Sequence, residues 1–203
     1  MPHHIVPNWL GEDKADQLLS YAFTNEARFK QSHISKGGGQ ADISLRRSLV
    51  LADLGPFAQA IKAKALEWQA EFENALGMHP ASTHEVEIEM VAHGDGAFYG
   101  PHIDTSTGPD SGGSVERRLS LIYYFFRRPQ EFSGGRLRLL RLGGGPALLI
   151  EPAHDRLVGF PSFAPHEVEA VSCPNGGFRN SRFAINIWLY ERRPGRSFRI
   201  PES

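Results

Sequence analysis

The sequence predicts a mainly β fold with flanking helices, built as a sandwich or barrel. Three observations carry that expectation. From residue 82 onward the chain is a succession of eight short β-prone runs, each closed by a turn. Ahead of them lie two stretches whose apolar residues recur at helical spacing. No internal repeat, low-complexity tract or linker divides the chain, and its 203 residues suffice for one domain with a substantial core.

The elements follow in order. Pro7-Asn-Trp-Leu-Gly11 is a short lead-in. Asp13 is placed to cap a first helix through Ala15, Leu18, Leu19 and Ala22. Residues 30–40 are polar, end in Lys36-Gly-Gly-Gly-Gln40 and read as mobile. Residues 43–52 alternate around Arg46-Arg47 and read as a strand. Pro56 suits the first turn of a second helix. Phe57, Ala60, Ile61, Ala65, Leu66, Trp68, Phe72 and Leu76 continue it at three- and four-residue steps, and Gly77 ends it. This helix is expected to cover one face of a sheet.

Residues 83–92 then alternate, with Val86, Ile88 and Met90 on one face and Glu85, Glu87 and Glu89 on the other. His93-Gly-Asp-Gly96 reads as a turn, residues 98–104 as the next strand, and the Gly/Ser/Thr-rich residues 105–114 as a flexible loop. Runs at 118–126, 136–142, 147–150, 157–160, 166–171 and 182–190 complete the set. The Pro/Gly/Arg-rich tail from residue 193 is expected to be loosely held.

Composition excludes several classes of function. A formal net charge of −1 provides no field to draw nucleic acid or an anionic membrane. Arginines cluster at Arg127-Arg128, at Arg136, Arg138 and Arg141, and at Arg192-Arg193; they read as solvated strand edges and loop ends. Cys173 is the single cysteine, so no internal disulfide forms, which suits a reducing, cytoplasmic setting. The N-terminus lacks the basic and apolar regions of a secretory signal, and no apolar run is long enough to span a membrane.

The chemistry centres on Phe98-Tyr-Gly-Pro-His-Ile-Asp-Thr105. Residues i and i+2 of a strand share a face, so His102 and Asp104 present an imidazole beside a carboxylate. A third ligand is needed to hold an ion, and His166 in Phe163-Ala-Pro-His-Glu-Val-Glu169 is the best candidate. Two histidines and one carboxylate form the facial triad of non-haem Fe(II) oxygenases, with positions left open for substrate and O2. The other histidines (His3, His4, His33, His79, His84, His93 and His154) read as surface or hydrogen-bonding residues.

Six blocks in a fixed order extend this pattern: Tyr99-Gly-Pro-His-Ile-Asp104, Leu121-Ile-Tyr-Tyr-Phe125, Ser133-Gly-Gly-Arg-Leu137, Asp155-Arg-Leu-Val-Gly-Phe160, Pro165-His-Glu-Val168 and Ser181-Arg-Phe-Ala-Ile-Asn-Ile-Trp188. In them the chain resembles the Fe(II)/2-oxoglutarate-dependent oxygenases, and within these the prolyl 4-hydroxylase-like branch. The resemblance covers about residues 83–190. It implies a double-stranded β-helix (jelly roll) core over 83–190, with helical N-terminal support over 1–80, in a single oxygenase domain spanning 1–203.

The resemblance also implies roles. His102, Asp104 and His166 would hold Fe(II). 2-Oxoglutarate would chelate the iron and extend its far carboxylate to Arg182, whose planar fork binds a carboxylate bidentately, and to the hydroxyl of Tyr124. Trp188 matches an aromatic near the iron, Tyr99 would line the mouth, and Asn186, on the same strand face as Arg182, would donate a hydrogen bond in the pocket. Close relatives place the arginine sooner after the second histidine, which makes Arg179 a rival to Arg182. Related halogenases carry a small residue where Asp104 stands, so hydroxylation is the expected outcome. O2 is the co-substrate, with room for ascorbate as an accessory reductant. The expected substrate is a prolyl residue of a protein or peptide; alternatives are a small free amino acid or natural product, the same ligands holding Zn2+ in a hydrolase, or a non-catalytic metal-binding module. Residues 30–40 and 105–114 would border the pocket and order over substrate.

Overall fold

In a computed structural model, described over residues 1–32, 45–105, 115–174 and 176–192, two β-sheets face each other and helices cover the outer face of the larger one. The elements in chain order are β1 (His4–Pro7), α1 (Glu12–Thr24), β2 (Lys30–Gln31), β3 (Arg46–Arg47), β4 (Leu49–Leu51), α2 (Ala58–Glu67), α3 (Gln69–Ala75), β5 (Thr83–His93), β6 (Phe98–His102), β7 (Val115–Phe125), β8 (Ser133–Gly134), β9 (Leu137–Leu139), β10 (Leu148–Ile150), β11 (Arg156–Pro161), β12 (His166–Val168), β13 (Val171–Ser172) and β14 (Arg182–Arg192). The large sheet has seven strands in the order β1-β11-β7-β14-β5-β4-β2, the small one five in the order β10-β9-β12-β6-β3, and β13 pairs with β8. The mainly β fold expected from the run of short strands, and the jelly-roll core that the resemblance implied, are what the chain adopts. His33, nearly all of the polar segment, all but Thr105 of the loop at 105–114 and the tail from 193 lie outside the described residues.

The period of two along the long strands sorts their side chains between two cores. On β14, Phe183, Ile185, Ile187 and Leu189 point to the helices, joined by Leu119, Leu121, Tyr123 and Phe125 of β7 and by Val86, Ile88 and Met90 of β5. The alternate residues face the small sheet, where Ile122, Tyr124 and Ala184 pack with Val158, Phe160, Leu137 and Leu139. Arg182, Asn186 and Trp188 share that inner face at the end where the cavity opens.

Several expectations are corrected in detail. The second helical stretch is not continuous: it divides at Trp68 into α2 and α3, preceded by a 3-10 turn at Gly55–Phe57. The bend lets α3 press Phe72 onto the sheet, and Gly159 of β11 leaves the space, since a Cβ there would overlap the Phe72 ring. The N-cap of α1 is Gly11 and not Asp13. The reason lies in buried Asp155, whose carboxylate accepts the Leu10 and Gly11 amides at 2.9 and 3.0 Å and the Tyr123 hydroxyl at 2.9 Å, fixing the approach to the helix from outside it. The stretch 43–52 supplies two short strands to different sheets, β3 and β4, with residues 43 and 44 outside the described set. The described part of the N-terminal eighty residues therefore adds four strands as well as helices. Among the described residues ten strands, not eight, follow residue 82, because the 166–171 run breaks into β12 and β13 and β8 forms at Ser133.

Candidate functional site

Pairing within the small sheet brings the two candidate histidines together. β12 lies antiparallel to β6 with His166 directly opposite His102, so both imidazoles project from one face, their ring centroids 4.1 Å apart. Asp104 stands beyond the end of β6, not within the strand as the 98–104 run suggested. Its backbone amide donates to the Ser162 carbonyl at 2.9 Å, which holds the carboxylate beside the rings. Asp104 Oδ1 is 3.6 Å from His102 Nε2, and Oδ2 is 3.7 Å from His166 Nε2. One ligand atom from each residue lies within 4.8 Å of the others. These separations exceed hydrogen-bond length, so the groups converge without bonding one another.

Each candidate ligand is oriented from behind. His102 Nδ1 faces the Gly100 carbonyl at 2.9 Å, and His166 Nδ1 faces the Ala164 carbonyl at 2.9 Å. A carbonyl only accepts, so each Nδ1 carries the proton and each Nε2 turns a lone pair to the centre, as a metal-binding imidazole requires. Burial and the neighbouring His166 push His102 down to about 4, so its imidazole is neutral at neutral pH. Burial alone would raise Asp104, yet the two imidazoles and hydrogen bonds from Ser120 Oγ (2.6 Å) and Trp188 Nε1 (2.9 Å) hold it below the usual carboxylate range. The donor set of two neutral nitrogens and one anionic oxygen fits a divalent first-row metal.

The large sheet closes the site. A cavity of about 110 Å³ runs from the triad to Arg182 and His93, lined also by Arg46, Glu89, Tyr99, Asn186 and Trp188. Tyr99 stacks on the His102 ring at 3.5 Å between centroids, and the Arg46 guanidinium lies 4.8 Å from the centre of the same Tyr99 ring. On the opposite side Arg117 covers Trp188 at 3.9 Å. The Asn186 amide donates to Glu89 at 3.0 Å, and Glu89 also pairs with Arg46 at 2.8 Å, so Asn186 acts on the wall of the cavity through Glu89.

Arg182 is the unusual group. It is 1% exposed, and no carboxylate among the described residues pairs with it. Its Nε and Nη2 and the Tyr124 hydroxyl are buried and reach no partner at good hydrogen-bond geometry; the neutral hydroxyl lies against the guanidinium, whose carbon sits 4.7 Å from the Tyr124 ring centre, and supplies no counter-charge. A buried, unpaired cation costs several kcal/mol unless an anion joins it. Gly135, at φ +67°, makes the seat possible, because a Cβ there would stand 2.6 Å from Arg182 Cδ. Arg179 is elsewhere: it belongs to a 3-10 turn, and its guanidinium lies 5.3 Å over Phe23. His93, expected in a surface turn, ends β5, is buried, and faces Arg182 across the ladder. Only the strand's extra length reveals this, since the following Gly-Asp-Gly masks the strand end in the sequence.

The sequence profile of the 2OG-Fe(II) oxygenase superfamily matches residues 88–190. An uncharacterized PKHD-type hydroxylase of Synechocystis sp. is 26% identical over 197 residues; the match takes in 92% of this chain but only 62% of that protein. Among solved structures, a prolyl-4-hydroxylase of Pseudomonas putida superposes with a TM-score of 0.68 at 21% identity, over 95% of this chain and 93% of that one. A Trichoplax adhaerens prolyl hydroxylase, in complex with a peptide fragment of the hypoxia-inducible factor oxygen degradation domain, gives 0.70 at 20% identity, over 94% and 84%. A viral collagen prolyl hydroxylase from Paramecium bursaria Chlorella virus-1, solved with 2OG, gives 0.66 at 15%, over 94% and 97%.

Proposed function

The chain belongs to the 2OG-Fe(II) oxygenase superfamily, and on that premise we propose that it is a dioxygenase hydroxylating an unactivated C–H bond of a prolyl residue in a protein or peptide. The observation that carries the co-substrate is Arg182, a buried cation at the back of the cavity that opens onto the triad. A keto acid that chelates a metal at one end and carries a second carboxylate at the other answers both halves of that cavity. A hydrolytic zinc site has no use for the second half.

In this reading His102 Nε2, His166 Nε2 and an Asp104 oxygen would hold Fe(II). With both cofactors bound, the centre supplies O2 activation coupled to decarboxylation of the keto acid. The chain's own residues do the rest. Arg182 and Tyr124 seat the far carboxylate and set how deep the molecule lies. Ser120 and Trp188 hold Asp104 ionised and fix its rotation. Tyr99 and Trp188 line the cavity beside the triad, with Tyr99 held between His102 and Arg46 and Trp188 under Arg117. The prolyl assignment rests on the activity named for the P. putida and T. adhaerens proteins of the same fold.

The test is aerobic incubation with Fe(II), 2-oxoglutarate and a panel of proline peptides and free amino acids. Mass spectrometry would show a gain of one oxygen on a peptide, matched by succinate and absent in His102→Ala. Turnover of free amino acids alone would move the substrate class to small molecules. No succinate and no binding of 2-oxoglutarate under any condition would refute the enzyme reading.

A further inference from the structure

The seat for the far carboxylate contains a third side chain. His93 and Arg182 are direct cross-strand partners on β5 and β14, and both line the cavity. Arg182 Nη1 lies 3.3 Å from His93 Nδ1. A guanidinium has donors and no acceptor, so the imidazole nitrogen facing it must be the acceptor. A neutral imidazole then carries its proton on Nε2. Burial, and after it the charges of Arg182 and Arg46, hold His93 well below the ordinary imidazole value, which agrees with the neutral form. That Nε2 is itself buried and without a hydrogen-bond partner among the described residues.

Three orphan donors belong to residues that line this end of the cavity, Arg182 Nε and Nη2 and His93 Nε2, with the Tyr124 hydroxyl against the guanidinium beside them. Buried donors left unmade are rare and costly, and three in one place mark a ligand of several acceptors. A carboxylate offers two oxygens with about four lone-pair sites. Resting on the co-substrate reading above, we propose that His93 binds the far carboxylate of 2-oxoglutarate directly, donating from Nε2 beside Arg182, and so sets the preference for a dicarboxylic keto acid. The same contact to Arg182 through Nδ1 locks the guanidinium plane, giving His93 a positioning share as well.

The test compares 2-oxoglutarate with 2-oxopentanoate, which keeps the chelating end and replaces the far carboxylate by a methyl group. Calorimetry on the Mn(II)-loaded protein gives the dissociation constant of each for the wild type, His93→Phe and His93→Gln. His93→Phe should weaken 2-oxoglutarate about 10- to 100-fold, the range for one hydrogen bond to a charged group. It should leave 2-oxopentanoate within about twofold, because a keto acid held only at the metal does not reach the seat. His93→Gln, which restores an N–H donor, should recover part of the loss. Equal weakening of both acids, or no weakening of either, overturns the proposal. If His93→Phe does not fold, His93→Leu carries the same comparison with less bulk. Arg182→Met separates the two layers. If it abolishes the preference while His93→Phe does not, only the role of His93 falls. If neither Arg182→Met nor any His93 variant alters the preference, the co-substrate reading falls with it.

Discussion

Replacing Arg182 by methionine should separate stability from function in an unusual direction. The wild-type side chain is 1% exposed, with two guanidinium nitrogens unpartnered. Exchange of a buried ionic group for a well-packed apolar one is often neutral or stabilising by about 1–4 kcal/mol. Methionine is unbranched and fills irregular space, and the Tyr124 ring and Val171 side chain that bound the seat are apolar surfaces it can meet. The ligand-free variant should therefore melt no lower than the wild type. Ligand stabilisation should behave oppositely. At 2-oxoglutarate equal to one hundred dissociation constants, binding stabilises the wild type by about 2.7 kcal/mol, a rise of about 5–11 °C for a chain of this size. Losing the cationic partner of a buried carboxylate costs about 3–5 kcal/mol, or roughly two to four orders of magnitude in affinity. At the same concentration the variant gains at most about 0.4 kcal/mol, a shift under about 2 °C. Thermal unfolding of both proteins with Mn(II), with and without 2-oxoglutarate, measures every term. A ligand-free variant that melts far below the wild type yet keeps the full 2-oxoglutarate shift would show that Arg182 serves the fold and not a ligand.

Other consequences bear on the neighbouring residues. Ser120→Ala and Trp188→Phe each remove one hydrogen bond to Asp104 Oδ2; each should raise the Asp104 carboxyl and weaken Mn(II) binding about 10- to 100-fold, read by calorimetry, while the fold survives. Gly135→Ala forces a Cβ into a left-handed backbone position, 2.6 Å from Arg182 Cδ and 2.8 Å from Val171 Cγ2. The backbone alone should cost about 1–2 kcal/mol, and the displaced guanidinium should lower 2-oxoglutarate affinity more than metal affinity. Asp155→Ala strips the acceptor from two amides and the Tyr123 hydroxyl. It should cost about 3–5 kcal/mol, as for other buried carboxylates that lose their network, lowering the melting temperature by about 6–20 °C with ligand affinities unchanged in the protein that remains folded.

Local pattern carried a good deal of this molecule. The alternation of Val86, Ile88 and Met90 against Glu85, Glu87 and Glu89 is the two-faced burial that β5 shows, because a strand's period of two is a property of its backbone and needs no partner. The buried positions Ala15, Leu18, Leu19 and Ala22 of α1 follow from helical period in the same way. The break at Trp68 did not show, since the apolar spacing runs through it unchanged and the bend comes from fitting Phe72 onto Gly159. His93 was hidden for a similar reason. Its environment is supplied by Arg182, 89 residues away in the chain.

The sequence by itself determined the fold class and the type of chemistry: the order of short strands, the His102 and Asp104 pair, and a distant His166 as the natural third ligand. What the tertiary structure alone decided is which groups share a cavity and what each lacks. Register between β12 and β6 sets His166 opposite His102, and burial between two sheets leaves Arg182, Tyr124 and His93 with donors unmet. Desolvation is the physical reason. A donor exposed to water is satisfied and silent, and only its removal from water, a property of the packed whole and of no single residue, turns it into a demand for a ligand.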